Sequence, residues 1–386
     1  MENLRLSDKN ICMAIVLLPF VILLCARYCP VSGMNSADFL RIGTGARNVA
    51  LANAGVSGTD VENVYWNPAG LAFVKDARVS FMHNRHFQDI FHNFAAGSTP
   101  WDSPYGQCVI ASSLQSLDTG EFQGYDDTGN ETQKIKSGDN AVTFAIGKKI
   151  SVPDDGEHRG VSAIGLGLKY INESIAGWTA DTLAFDIGGM HSWSVQGRPA
   201  RMGVSVHNMG GHLKFHRKAF PLPVIVRLGG NMELNLFNNP IILFLHADKT
   251  IESPVNAGAA AEYVMYGIIS IRTGYISENG RGAFRWGTGI RISGFSFDYA
   301  MGDFGELGLS HVFSISLNFG TLGEDISRRQ IKKLKEIETL YNNGLKLYDE
   351  GRYPEAAIQF DKVLELDPTN IEALRMMKQA GEHMLP

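Results

Sequence analysis

The middle of the chain, from about residue 77 to residue 319, repeats one pattern of apolar and polar positions. Segments of about 8 to 13 residues alternate apolar side chains with polar residues or glycine, and clusters of Gly, Asn, Asp and Pro separate them. A period of two residues predicts β-strands with two chemically different faces. In one such segment the apolar face holds Phe284, Trp286, Ile290 and Ile292, and the other holds Arg285, Gly287, Gly289 and Arg291.

About fourteen segments fit this pattern, an even number such as a closed antiparallel membrane barrel requires. The longer stretches 118–139 and 208–222 are predicted to be loops. The predicted strands begin near Ala77, Ile90, Tyr105, Asn140, Val161, Asp181, Ala200, Pro223, Pro240, Asn256, Ile268, Phe284, Gly294 and Leu309.

The N-terminus has the features of an export signal. Arg5 and Lys9 precede an uncharged apolar run at residues 11–26, and small residues follow it. As a helix this run would span only about 24 Å, short of the roughly 30 Å hydrocarbon core of a membrane. We therefore predict that residues 1–33 are a signal peptide, removed by cleavage after Gly33. Cys108 would then be the one cysteine of the mature chain, which rules out an intramolecular disulfide.

Two architectures fit the alternating strands. In a soluble β-sandwich the apolar face is a packed core, whereas in a membrane barrel it meets lipid and the polar face lines the lumen. The export signal, the glycine-rich polar face and the aromatic residues near strand ends favour the barrel. The predicted fold is an all-β transmembrane barrel of about 14 antiparallel strands at residues 77–320, surrounded by outer-membrane lipid and followed by a small α-helical domain.

Residues 328–386 change to a composition rich in Lys, Glu, Leu and Ala with helical periodicity. Within them, residues 337–370 fit the 34-residue tetratricopeptide (TPR) pattern, in which Gly344 lets two helices approach and Pro368 ends the second helix. One repeat buries its own apolar face poorly, so a periplasmic protein partner or the rim of the barrel is implied. The residues assigned to partner binding are Tyr341, Leu345 and Tyr348.

Composition restricts the function further. Charged residues are only 19% of the chain and the formal net charge is −5, which argues against a nucleic-acid-binding protein. Because the chain has no Walker A, HExxH or paired CxxC pattern, we expect no catalytic residues, no cofactor and no enzyme activity. His83 and His86 would lie on opposite faces of one strand, so we expect no metal site with His92.

The polar face of the predicted barrel carries several arginines as candidate lumen residues: Arg227, Arg272, Arg285 and Arg291. They could hold the carboxylate or phosphate headgroup of a ligand. They could equally pair with acidic residues such as Glu233 and Asp298 and fill the barrel. The sequence leaves both roles open.

The segment at residues 36–73 contains the tripeptide Gly45, Ala46, Arg47 and the ungapped sequence YWNPAGLA at residues 65–72. It resembles the N-terminal signature of the PorV/PorQ family, itself similar to FadL-type long-chain fatty acid transporters, and the resemblance extends over about residues 36–319. It implies a fourteen-stranded barrel in which residues 34–76 fold inward as a hatch. The ligand and hatch residues would be Asn67, Pro68, Ala69 and Gly70. The alternative is that this segment is only a turn into the first strand.

The resemblance implies an outer-membrane barrel for uptake or passage of hydrophobic or amphipathic small molecules such as long-chain fatty acids, with the helical domain in the periplasm. The alternative is a PorV-like structural or interaction component of a secretion or envelope assembly, whose TPR-like domain binds a periplasmic protein. The last predicted strand, residues 311–319, resembles the signal recognised by barrel-assembly machinery, which is therefore an expected partner. A barrel hydrolase would need a lipid-facing Ser-His pair, which the sequence does not reveal.

Overall fold

The computed structural model describes residues 36–86, 90–104, 106–150, 160–250, 253–278, 280–303, 308–367 and 370–384. The predicted signal peptide lies outside these ranges, as does Pro368 of the predicted TPR pattern. The chain divides between Phe319 and Gly320 into two compact units, and each is described by itself.

The first unit is built of β-strands. In chain order they are β1 (Arg78–Arg85), β2 (Phe91–Ser103), β3 (Gly106–Phe122), β4 (Ile135–Ile150), β5 (Gly160–Ile175), β6 (Trp178–Val195), β7 (Arg198–Gly210), β8 (His212–Phe215), β9 (Lys218–Pro221), β10 (Ile225–Leu236), β11 (Asn239–Thr250), β12 (Val255–Met265), β13 (Ile269–Glu278), β14 (Arg281–Ile292), β15 (Phe295–Asp303) and β16 (Leu309–Asn318). Fourteen of these described strands form a closed antiparallel barrel, in which β7 pairs with β10 and β1 with β16. The predicted barrel and its strand number are confirmed.

Strands β3 to β6 are longer than the alternation predicted, with 16 to 18 residues each. The predicted loop at 118–139 is therefore shorter, at 123–134, because β3 continues to Phe122 and β4 begins at Ile135. Beyond a register shift at Asp118, the polar residues Glu121 and Lys136 face each other. If neither face of a hairpin contacts lipid or a packed core, its sequence need not alternate apolar and polar residues, although the backbone pairing continues.

The second predicted loop, 208–222, also contains strands. β7 continues to Gly210, and β8 and β9 form a hairpin of their own outside the barrel sheet. Leu213 of this hairpin is fully buried in a cluster with Phe39 and Leu40. The backbone N–H of Ser36 donates to the carbonyl of Pro221 at 3.0 Å. These strands have four residues each, too few for an alternating pattern to be recognised.

The outer wall of the barrel is apolar. On β14, Phe284, Trp286 and Ile290 are 46–60% exposed, whereas Arg285 between them is buried. This confirms the predicted assignment of faces, because an apolar outer surface and a polar interior are the arrangement that lipid contact requires. Other exposed apolar side chains on the strands include Phe81, Ile110, Leu114, Phe144, Ile164, Leu166, Leu168, Leu228, Leu245, Ile271 and Phe313.

The two rims of the barrel differ in their connections. β1 begins and β16 ends at the same rim, because the strand number is even. We call it the short-turn rim, since it carries the two-residue turns 196–197, 237–238 and 293–294 and the three-residue turn 266–268. The opposite rim, the long-loop rim, carries the β8–β9 hairpin and the connection 123–134 as well as the two-residue turn 176–177.

Residues 36–76 lie inside the barrel, and we call them the hatch. They form the 3-10 turns Asp38–Arg41, Gly55–Ser57 and Pro68–Phe73 and the short helices α1 (Ala46–Ala50) and α2 (Asn63–Trp66). Tyr65, Trp66 and Leu71 of the hatch belong to one buried apolar cluster with Met82 and Phe94 of the wall. The lumen of the barrel is thereby filled by the chain's own N-terminal segment.

The second unit is helical, with α3 (Phe319–Asp349), α4 (Tyr353–Leu366) and α5 (Ile371–Glu382). Helix α3 begins before residue 328, where the change of composition placed the boundary. A Cβ added at Gly344 would lie 2.7 Å from Cε1 of Phe360, so this glycine does allow a close approach of two helices. In the described part of the chain, none of the helices combines the length and apolar composition needed to span a membrane.

Candidate functional site: the contact between hatch and barrel wall

The segment Asn67–Gly70 is a tight turn at the centre of the hatch. The Asn67 side chain organises it, because Oδ1 accepts from the backbone N–H of Ala69 at 3.1 Å. Nδ2 of the same side chain donates to the carbonyl of Val56 at 2.9 Å and to that of Gly189 in β6 at 3.1 Å. Pro68 begins the 3-10 turn, where its fixed φ fits and its missing N–H costs nothing. One amide side chain thus joins the turn, the rest of the hatch and the wall.

Four glycines, one on each of β4 to β7, make room for this turn, and we call them the glycine cradle: Gly147, Gly165, Gly188 and Gly203. A Cβ added at Gly165 would lie 2.1 Å from the carbonyl carbon of Pro68, and one at Gly188 would lie 2.0 Å from Oδ1 of Asn67. Real Cβ atoms do not approach other atoms so closely, so any larger residue would displace the turn. Backbone therefore packs on backbone along this flank of the hatch.

Polar side chains of β7 and β10 hold the residues just before the turn. The carbonyl of Trp66 accepts from Oγ of Ser205 and from Nε2 of His207, both at 3.0 Å. The guanidinium of Arg227 donates to the hydroxyl of Tyr65 at 3.2 Å and lies 4.9 Å from the centre of that ring. Such a stacked cation is stabilised by the aromatic ring in a buried setting.

A buried ionic group supports His207 from the wall. Nζ of Lys169 lies 3.1 Å from Oδ2 of Asp186, and Nδ1 of His207 lies 3.3 Å from the same oxygen. The backbone N–H of Asn208 donates to the other carboxylate oxygen at 2.8 Å. The strand pairing between β6 and β7 shifts register here, and Asn208 takes a left-handed backbone conformation with φ of 60°. The irregularity brings these side chains together beneath the hatch.

The opposite flank of the hatch is held by charge. Arg47 of α1 donates from Nε to Oε1 of Glu262 at 3.0 Å. Arg272 donates to the same oxygen at 2.7 Å and to Oδ1 of Asp298 at 2.6 Å. Asp60 of the hatch in turn accepts from Arg78 at the start of β1 at 2.5 Å. Two arginines and two carboxylates of this group are largely buried, so each charge depends on its partners.

Glu62 lies beside this ionic flank. Its Oε1 accepts from Oγ of Ser80 at 2.7 Å, and the structure records no cationic partner for it among the described residues. Burial and, second, the neighbouring Asp60 carboxylate raise the pKa of Glu62 to about 6. The hatch therefore contains a carboxyl group that titrates close to neutral pH.

The predicted lumen arginines have internal partners. Arg227 and Arg272 are engaged as described, and Arg285 lies 3.5 Å from the carboxylate of Glu278. These three are buried, whereas Arg291 is exposed near the end of β14. Each of these three thus has the fixed partner that a buried arginine needs. Headgroup binding by the lumen arginines stays a prediction.

Several important residues were not identified from the sequence. Glu262, Asp186, Ser205, His207 and the glycine cradle were all absent from the predicted site. One signal was available: an inward-facing glycine recurs on each of four consecutive predicted strands. Glu262 faces Arg272 across the strand pair, but that pairing is visible only once the register is known.

The three tail residues assigned to partner binding are half-buried. Tyr341, Leu345 and Tyr348 pack against the buried core of Ala356, Phe360 and Met376. The rings of Tyr341 and Phe360 are 5.7 Å apart, and those of Tyr348 and Tyr353 are 5.2 Å apart. In so small a helical unit these side chains contribute to its own core, and their role in partner binding stays a prediction.

The histidines do not converge. His83 is exposed on the outer wall, with Nδ1 2.7 Å from Oδ1 of Asn93, whereas His92 is buried with Nε2 3.0 Å from Nε2 of Gln115. Across the described ranges, no group of three or more His, Cys, Asp or Glu side chains is placed to hold a metal ion.

Comparison with solved structures places the barrel among hydrocarbon channels in fold. The TodX deltaS2S3 mutant, a monoaromatic hydrocarbon channel, superposes with a TM-score of 0.51 at 11% identity, over 72% of this chain and 99% of that one. The toluene transporter TbuX of Ralstonia pickettii gives 0.49 at 12% identity, over 72% and 98% of the two chains. A FadL homologue of Pseudomonas aeruginosa gives 0.44 at 11% identity, over 72% and 99%.

No protein-family model and no curated protein matches the chain. At 11% identity, the likeness to the TodX mutant shows a shared fold: a closed barrel of fourteen antiparallel strands.

Proposed function

We propose that the protein is an outer-membrane channel for hydrophobic small molecules and that the hatch is its gate. The observation that carries the proposal is the filled lumen. Between Trp66, Arg227 and the wall remains a cavity of only about 20 Å³, room for about one water molecule. Each barrel strand pairs with both neighbours, so the described wall has no lateral opening. Passage therefore requires the hatch to move.

The contacts of the hatch are suited to such movement. They are hydrogen bonds, ion pairs and van der Waals contacts, none of them covalent. The likeness in fold to the TodX channel supports hydrophobic cargo. Long-chain fatty acids and aromatic hydrocarbons are the two cargo classes to compare, the first from the FadL-type resemblance and the second from the TodX likeness.

We further propose that the short-turn rim and the helical tail face the periplasm, because short turns lie on that side in bacterial barrels. The close approach of Gly344 and Phe360 supports a TPR-like tail. Beside the half-buried Tyr341, Leu345 and Tyr348, a periplasmic protein would meet exposed apolar residues such as Ile358, Ile371 and Leu374.

A reversible lock on the hatch tests the gating proposal. A Cβ at Gly274 of β13 would lie 2.8 Å from Cβ of Ala52, somewhat closer than the roughly 3.5–4.5 Å of a disulfide. We would combine Ala52→Cys and Gly274→Cys with Cys108→Ser. Uptake of labelled oleate and of labelled toluene would be measured in a bacterial host without its own hydrophobic-compound channels.

Under oxidising conditions the double-cysteine protein should lose uptake, and a reductant should restore it. Each single-cysteine protein is the matched control and should transport under both conditions. Equal uptake by the locked and reduced forms would show that cargo does not need the hatch to move. No uptake by the unmodified protein would reject the channel itself. Deletion of residues 335–386 should leave uptake intact, because the tail contributes no strand to the barrel.

A further inference from the structure

Two neighbouring turns of the short-turn rim carry highly exposed aromatic residues. Phe237 in the turn between β10 and β11 is 84% exposed, and Tyr266 in the turn between β12 and β13 is 82% exposed. They are the two most exposed large hydrophobic residues among those described. Neither side chain contributes to the barrel interior or to the hatch.

The backbone at these positions disfavours aromatic residues. Phe237 and Tyr266 have φ values of 50° and 52°, in the left-handed region. A turn residue in this conformation is usually Asn, Asp or Gly, because a bulky side chain is strained there. The equivalent positions in the other short turns hold Gln196 and Ser293. Turn formation therefore does not explain the two aromatics.

The two turns are tied to each other. The side chain of Asn239 accepts from the backbone N–H of Tyr266 at 2.9 Å and donates to the carbonyl of Phe237 at 3.1 Å. Its amide nitrogen also lies 3.3 Å from the hydroxyl of Tyr263. The aromatics are thus presented from two turns that are held as one unit.

The surroundings identify the partner of this unit. The apolar outer wall continues to the turns through Leu236, Ile268 and Ile269, which are 39–48% exposed. Residues 234–245 and 263–271 contain no Lys, Arg, Asp or Glu. The turns at 196–197 and 293–294 differ, since each has an arginine within two residues, Arg198 and Arg291. An uncharged aromatic edge continuous with a lipid-facing wall fits the membrane interface, where Trp, Tyr and Phe side chains accumulate.

We propose that Phe237, Tyr266 and Asn239 form a membrane-docking element, in which the two aromatic side chains insert into the lipid headgroup region beyond the ends of β10 to β13. The partner is the phospholipid leaflet at the short-turn rim. The turn at 196–197, with Gln196 and the neighbouring Arg198, stays in water.

Spin labels at matched turn positions test this proposal. In a Cys108→Ser background, single cysteines would be placed by Phe237→Cys, Tyr266→Cys and Gln196→Cys. All three positions share the left-handed backbone conformation, so they report on surroundings and not on turn geometry. The labelled proteins would be reconstituted in phosphatidylethanolamine–phosphatidylglycerol vesicles, and heat-modifiable migration would verify that each barrel has folded.

Power-saturation electron paramagnetic resonance then compares collisions with oxygen, which enriches in lipid, and with a water-soluble nickel chelate. Labels at positions 237 and 266 should favour oxygen, and the label at 196 should favour the chelate. Equal chelate access at all three positions would overturn the proposal. Labels that are accessible in vesicles but protected in native envelopes would overturn it as well, and would indicate a protein partner. This measurement does not depend on hydrocarbon uptake, so its outcome does not test the channel proposal.

Discussion

The two flanks of the hatch are held to the same barrel by opposite means. On the flank of β4 to β7, the turn at Pro68 lies on glycines, and backbone packs on backbone. On the flank of β12, β13 and β15, Arg47 meets a network of charged side chains centred on Glu262. Close packing tolerates almost no change of shape, whereas an ion network can exchange partners without a change in volume.

This difference suggests how the hatch would open. The packed flank fixes the position of the turn, and a displaced turn loses many contacts at once. On the charged flank, Arg47 has the carboxylates of both Glu262 and Asp60 within 4 Å, so it keeps a partner during small movements. We therefore expect the hatch to be released first on its charged flank and to pivot on the glycine cradle.

The predictions below use one measurement, the rate at which a thiol reagent labels a cysteine placed by Ser57→Cys in a Cys108→Ser background. Ser57 is 1% exposed, so labelling requires the hatch to open. A tenfold change in rate corresponds to about 1.4 kcal/mol in the free energy of opening. The Cys108→Ser protein alone gives the background.

Glu262→Gln should have the largest effect. The substitution leaves Arg47 and Arg272 without their shared carboxylate, and breaking a buried ion pair costs about 3–5 kcal/mol. Labelling of the cysteine at position 57 should accelerate by at least about a hundredfold. Glu233→Gln is the control, because no ion pair of Glu233 is recorded in the described ranges. Equal rates for the two variants would mean that the charged flank does not hold the hatch.

Gly165→Ala should come next. Its added methyl group would lie 2.1 Å from the carbonyl carbon of Pro68, and overpacking of this kind costs about 1–3 kcal/mol. Labelling should accelerate by about tenfold to a hundredfold. Gly97→Ala is the matched control, because its Cβ would have only ordinary contacts, at 3.9 Å. A Gly165→Ala protein with unchanged labelling would contradict the pivot on the cradle.

Pro68→Gly should have a smaller effect. Loss of the fixed φ makes the free hatch more flexible, which disfavours the seated state by roughly 0.4–1 kcal/mol. Labelling should accelerate by about two- to fivefold, while heat-modifiable migration of the barrel persists. Slower labelling than in the parent protein would show that proline strains the turn.

A further effect concerns pH. The pKa of Glu62 is raised to about 6, so its protonated form is favoured when the hatch is seated. The contribution of Glu62 to seating is therefore fullest below about pH 4.5, its ordinary value, and is lost as pH rises through about 6. Labelling corrected for reagent ionisation should accelerate between these pH values, and Glu62→Gln should remove that step. A step of the same size in the Glu62→Gln protein would assign the pH dependence to another group.

Much of the barrel followed from the sequence. Lipid outside and a polar lumen inside require alternation along each strand, and Phe284, Arg285 and Trp286 show it directly. The alternation gave the strand number and the outward face. It missed 118–122 and 135–139, where β3 and β4 continue in paired backbone without two different solvents at their faces. The YWNPAGLA segment marked the hatch turn, although not its contacts.

The local sequence could not reveal the partners of side chains inside the barrel. Arg227 and Arg272 are similar arginines on inward faces, yet Arg227 stacks on Tyr65 and Arg272 pairs with Glu262. Strand register and the path of the hatch decide which residues each arginine contacts. Tyr341, predicted to bind a partner, also packs against Phe360 of the tail, a contact that the sequence pattern alone did not specify. Periodicity records which medium a residue faces. Only the closed tertiary structure brings residues such as Pro68 and Gly165, about a hundred positions apart, into contact.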